Sequence, residues 1–81
     1  MKALSSVVVD RLCEYLNKNN LTQYKLAEKS GLPYATIKSI MQRRTKGISL
    51  RTIIMLADGL EITPSEFINC DEFLAKNLDL D

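Results

Sequence analysis

The chain has 81 residues and a mass of 9.2 kDa, a size that predicts one domain spanning 1–81 with no separate catalytic or effector domain. It contains no His and two Cys, which excludes His-based acid–base catalysis, His metal ligands and a four-thiolate zinc site, and leaves no enzyme, metal or cofactor constellation. Eleven Lys and Arg against ten Asp and Glu give a net charge of +1, a balance that taken alone argues against nucleic acid or an anionic membrane as partner.

The start, Met1-Lys2-Ala3-Leu4, has only Val7–Val9 behind it as an apolar stretch before Asp10-Arg11, too little for a signal peptide. The longest apolar run, Ile53–Ala57, is far too short for a membrane span. These features predict a cytoplasmic protein with reduced thiols, Cys13 being a packing residue. Ser5 or Ser6 is a candidate cap for a first helix, whose apolar stripe is Val9, Leu12, Cys13 and Leu16. Asn19-Asn20 end it, since Asn tolerates the left-handed conformation.

Thr22 caps a short second helix with Leu26 and Ala27 inward, and Gly31 stops it. Pro33 sets the backbone for a third helix, 33–42, with Ile37 and Ile40 as its apolar pair. A polar, basic connection through Arg43, Arg44 and Lys46 follows. Ser49 caps a fourth helix carrying Leu50, Ile53, Ile54, Leu56 and Ala57, with Gly59 placed just past its end. Thr63-Pro64-Ser65-Glu66 combines a Thr cap, Pro at the first helical position and Glu at the third, the pattern of a capping box opening a fifth helix. Residues 71–78 read as a further helical stretch, either continuing helix five or breaking near Cys70. No segment alternates with period two, so the fold class is all-α.

The second and third helices form a specific constellation. Ala27, Gly31, Ile37 and Ile40 stand 4, 8, 14 and 17 residues after Gln23. A small residue is needed where the helices cross, glycine where the turn requires positive φ, and two Ile to pin the third helix so that its other face points outward. This is the layout of a helix-turn-helix over about 22–42, whose second helix enters the DNA major groove.

Gln23 to Gly31, Thr36-Ile37 and Ser49-Leu50-Arg51-Thr52-Ile53, followed by Ala57, Leu60, Ile62 and Phe67, resemble the Cro/C1-repressor type, or XRE family, of DNA-binding domains over residues 8–68. The resemblance implies a compact five-helix lambda-repressor-like domain, with a short sixth C-terminal helix if 71–78 breaks away. It implies base reading by Tyr34, Ala35, Lys38 and Ser39, and phosphate contacts by Gln23, Thr36, Arg43, Arg44 and Lys46; for Thr36, local capping is the alternative. Physical chemistry agrees: Lys38 suits guanine acceptors, Ala35 a thymine methyl, and Tyr34 either an apolar or a polar contact.

The chain also departs from the family. An Arg–Glu pair common in relatives falls here on Leu16 and Met41, predicting an apolar contact in its place. The loop after the third helix is one residue longer than the common pattern, and Pro33 leaves that helix without a side-chain cap.

Phe67, Ile68, Phe73, Leu74 and Leu78 exceed what a small five-helix core needs. The tail, 69–81, either wraps back onto that core or forms a homodimer interface. A homodimer on a pseudo-palindromic double-stranded operator is expected on separate grounds, because one such domain contacts only a few base pairs. The functional expectation is a sequence-specific DNA-binding transcriptional regulator acting as a repressor. The alternative is a protein-interaction module, such as an antitoxin-like partner using the apolar tail. Charge position favours the first: 18–51 carries eight bases and one acid, and 52–81 one base and seven acids. The net +1 averages a basic helix-turn-helix and an acidic tail.

Overall fold

The computed structural model describes residues 1–80. Five α-helices follow one another: α1 Leu4–Asn19, α2 Gln23–Ser30, α3 Tyr34–Met41, α4 Leu50–Gly59 and α5 Pro64–Phe67. Two short strands, β1 Lys2–Ala3 and β2 Leu78–Asp79, pair in parallel with Lys2 opposite Leu78. The domain is helical as expected. The two-residue strands add only a clasp between the ends, and two residues are too few to leave a periodic signal in sequence.

That clasp replaces the expected Ser cap of α1. Ala3 is extended as part of β1, and the helix begins at Leu4 with no side-chain cap. Strand pairing fixes the entry angle instead, and Ser5 is buried in the first turn. Lys2 ties the clasp down through 2.8 Å contacts from Nζ to Asp10 Oδ2 and to Glu72 Oε2. Those two hydrogen bonds, Asp10's first, hold the Lys2 ammonium well above the usual lysine range.

The core follows the apolar stripes. Val8, Val9, Leu12 and Leu16 of α1 meet Leu26, Ile37, Ile40, Ile53, Leu56, Ala57 and Phe67, all buried. Cys13 packs against this cluster as a free thiol, as expected. Leu16 lies within it and Met41 packs at its margin, so both positions of the absent ion pair are apolar core.

Capping largely matches the sequence. Thr22, Ser49 and Thr63 accept hydrogen bonds from the backbone N–H of Lys25, Thr52 and Glu66. The capping box at Thr63 is only half formed, because the Glu66 carboxylate accepts from the Tyr15 hydroxyl at 3.0 Å. Three helices end in paired backbone bonds that close on a left-handed residue. Asn20, φ 55°, closes α1 as expected; Arg43, φ 59°, and Glu61, φ 61°, close α3 and α4. Gly59 is therefore not the residue past α4. It is the last residue of that helix, buried where α4 crosses α2.

On α4 the apolar residues divide. Ile53, Leu56 and Ala57 face the core, whereas Leu50 and Ile54 are exposed. Residues 71–78 do not form a sixth α-helix. Two 3-10 turns, Asp71–Phe73 and Ala75–Asn77, lead into β2. The tail wraps back onto its own core through Phe73, whose ring centroid lies 6.1 Å from that of Phe67, and through buried Leu78. Ile68, Leu74 and Leu80 remain exposed. Among the described residues no helix is long and apolar enough to cross a membrane.

Candidate nucleic-acid interface

The sequence builds this face by burying the opposite one. Leu26 and Ala27 fix α2, and Ile37 and Ile40 fix α3, against the core. Gly31, φ 78°, makes the turn between them, with its N–H donating to the Ala27 carbonyl. Ser30 tightens the same corner: its buried hydroxyl donates to the Ala27 carbonyl and accepts from the Leu32 N–H. Pro33, extended at φ −58° and ψ 143°, is the cap position of α3 rather than its first residue, so the helix runs Tyr34–Met41 within the expected 33–42.

With Ile37 and Ile40 turned inward, the outward residues of α3 fall into place. Ala35, Lys38, Ser39, Gln42 and Arg44 line one shallow depression. Three of the four expected base-reading residues thus meet one expected phosphate contact, Arg44. Gln42 joins them without having been singled out; it sits three residues after Ser39, one turn further along the same face. Tyr34, the fourth, opens α3 and pairs edge-on with Tyr24 of α2 at a centroid distance of 5.5 Å and an interplanar angle of 66°. The Lys38 ammonium stands 5.7 Å from the Tyr34 ring centroid. Tyr24 lies outside the inward pair Leu26 and Ala27 of α2, and no periodicity marks it as part of the site.

The expected phosphate contacts are more dispersed. Gln23 is half-buried as the first residue of α2, and Thr36 is half-buried in the first turn of α3. The start of α3 carries no side-chain cap, so the local-capping alternative for Thr36 has no support. Arg44 and Lys46 are exposed, but in different places: Lys46 lines a second groove with Gly47, Ala3, Leu4, Ser5, Asp79 and Leu80. Arg43 turns away from the depression. Its left-handed backbone sends the side chain toward α1, where Nε donates to Ser6 Oγ at 3.3 Å and an Nη atom lies 3.8 Å from Asp10.

The charge asymmetry of the sequence survives folding with two exceptions. Lys29 is bound to Glu61 at 2.7 Å, a hydrogen bond that lowers the pKa of that carboxyl, and Arg43 leans on Asp10. Lys25, Lys38, Arg44, Lys46 and Arg51 remain exposed. Exposed cations supply salt-dependent attraction to phosphate, and a helix presenting polar and apolar side chains beside Lys38 and Arg44 can probe base edges.

Comparison with known proteins points the same way. A family model for the Cro/C1-type HTH DNA-binding domain matches residues 11–72. The control protein C.SmaI of Serratia marcescens is 37% identical over 57 residues, covering 70% of this chain and 67% of that protein. No solved structure matches the chain significantly. With the two-helix corner, the outward face of α3 and the family match in agreement, the chain belongs to the Cro/C1-type helix-turn-helix family of DNA-binding transcriptional regulators.

Proposed function

We propose that the protein is a cytoplasmic, sequence-specific repressor that binds a pseudo-palindromic operator as a homodimer, with α3 in the major groove. The observation that carries this reading is the depression that brings Ala35, Lys38, Ser39 and Gln42 beside Arg44 on the outer face of α3. Lys38 donates to guanine acceptors, Ala35 meets a thymine methyl, and Ser39 and Gln42 exchange hydrogen bonds with base edges. Arg44, Lys46, Gln23 and Thr36 hold phosphate. Arg43 contributes to phosphate binding only by giving up its contacts on α1. The control-protein relative supports a regulatory role.

Dimerisation is supported by apolar residues that the fold leaves outside. Leu50 and Ile54 lie four apart on α4, and Ile68 follows α5. Covering them against a second copy would join two subunits, as reading two half-sites about one helical turn apart requires.

Selection of bound duplexes from a random pool tests this directly. The expected result is an enriched sequence with two inverted half-sites, bound with steep salt dependence. Each phosphate contact removed, as in Arg44→Ala or Lys46→Ala, should flatten the log–log salt slope by about 0.9. An unenriched pool, with affinity indifferent to both substitutions, would sink the reading and favour a protein-interaction module built on the same exposed apolar residues.

A further inference from the structure

We propose that Tyr24 and Tyr34 together form an aromatic subsite for the C5-methyl group of a pyrimidine in the major groove, which makes Tyr24 a specificity-determining residue. The proposal rests on the DNA-binding reading of α3 given above. Tyr34 is the first residue of α3, and in a helix-turn-helix the N-terminal residues of the second helix are those that meet base edges. Tyr24, the second residue of α2, is 61% exposed and Tyr34 is 43% exposed. Their rings meet edge to face at 5.5 Å, a geometry in which the positive edge of one ring meets the negative face of the other. Lys38, one turn further along α3, places its ammonium 5.7 Å from the Tyr34 centroid. Tyr34 is therefore engaged by a ring and a cation together, and its orientation is restrained before any ligand arrives.

The chemistry of the subsite follows from what it can offer. Two aromatic rings present apolar surface at the place where α3 begins. Among groups displayed in the major groove, the pyrimidine C5-methyl is the apolar one; the others are hydrogen-bond donors and acceptors. The surroundings argue for DNA over an apolar protein surface. Lys25, Lys38 and Arg44 are exposed on or beside α2 and α3, and Glu28 is the one acid in these two helices. Because 5-methylcytosine carries the same methyl at the same ring position, the subsite reads the methyl group and not thymine as such.

The test starts from the duplex enriched in the selection experiment. Each thymine is replaced in turn by deoxyuridine and each cytosine by 5-methylcytosine. Binding constants are measured for the wild type and for Tyr24→Phe, Tyr24→Ala and Tyr34→Ala, with circular dichroism melts to verify folding. One thymine per half-site should weaken wild-type binding about fourfold when its methyl is removed, the value of one buried methyl group. A 5-methylcytosine placed at that position should be bound more tightly than cytosine. Tyr34→Ala should erase both effects, Tyr24→Ala should shrink them, and Tyr24→Phe should keep them. An enriched duplex in which no methyl matters, or in which methyl sensitivity survives both alanine variants, overturns the subsite and leaves DNA reading by α3 intact. A pool that enriches nothing overturns the DNA reading itself, and the subsite with it.

Discussion

Gly59 and Ser30 touch where α4 crosses α2, so closely that a β-carbon on Gly59 would fall 2.8 Å from the Ser30 β-carbon and 2.9 Å from its backbone nitrogen. The obstacle includes main chain, which cannot swing aside. Overpacking of this kind is destabilising by about 1–3 kcal/mol, while alanine gains about 1 kcal/mol over glycine in a helix. Gly59→Ala should therefore lower stability by about 1 kcal/mol in urea denaturation. It should also weaken DNA binding, because pushing α2 from α4 displaces the corner that aims α3. A variant as stable as the wild type would show that the crossing can relax.

Arg11 anchors the far side of the fold. Its Nε donates to the Phe67 carbonyl and an Nη atom donates to the Glu66 carbonyl, each at 2.7 Å, and its other Nη atom lies 3.0 Å from Glu14. The side chain is 14% exposed, and its bond to the Phe67 carbonyl is the part-buried one of the three. The bonds to Phe67 and Glu66 satisfy carbonyls at the end of α5, a single-turn helix with few bonds of its own. Hydrogen bonds to a charged donor contribute about 1.5–3 kcal/mol, so Arg11→Ala should destabilise by about 3 kcal/mol. Arg11→Lys should recover only part, since an ammonium lacks the planar fork that serves two carbonyls. Full recovery by lysine in thermal denaturation would mean that charge alone matters.

Alkaline pH should act on the neighbouring Tyr15. Burial, and then its hydrogen bond to Glu66, push the hydroxyl above its ordinary pKa of 10.0. The folded state then holds this proton more tightly than the unfolded chain does. The stabilisation is complete below pH 10.0 and is lost as the pH rises from there through the folded-state value. Denaturation midpoints followed into the alkaline range should fall more steeply for the wild type than for Tyr15→Phe. Parallel curves would place the alkaline loss elsewhere.

Much of this architecture is legible in the chain because local chemistry and tertiary packing agree. Thr22, Ser49 and Thr63 cap where hydroxyl chemistry puts caps, and Gly31 turns where positive φ is needed. Ile37 and Ile40 are buried, which alone orients the outer face of α3. The misreadings share a cause: the deciding interaction lies far away in sequence. Gly59 resembles a helix stop, but Ser30, twenty-nine residues earlier, determines its role. Glu66 fits a capping box, but Tyr15 takes its carboxylate. Phe73 and Leu78 permit a helix, but the pairing of β2 with β1 draws that segment into turns. Tyr24 gives no signal of its own because its partner lies on the next helix.

The two adjacent arginines after α3 provide the sharpest functional contrast. They look equivalent in sequence, yet Arg44 lines the depression with Lys38 while Arg43 occupies a left-handed turn and reaches Ser6 and Asp10. A non-glycine residue in that conformation is strained by about 1 kcal/mol, and a half-exposed ion pair at 3.8 Å returns only a few tenths. Arg43→Gly should leave stability unchanged or raise it by up to about 1 kcal/mol. Its effect on DNA affinity should be small, because the lost cation was directed at α1 and Asp10. Arg44→Ala should leave stability unchanged, weaken DNA binding and flatten the salt slope by about 0.9. Salt titrations of both variants beside urea denaturation separate the roles. Equal losses of affinity and slope would show that Arg43 leaves Asp10 for phosphate when DNA binds.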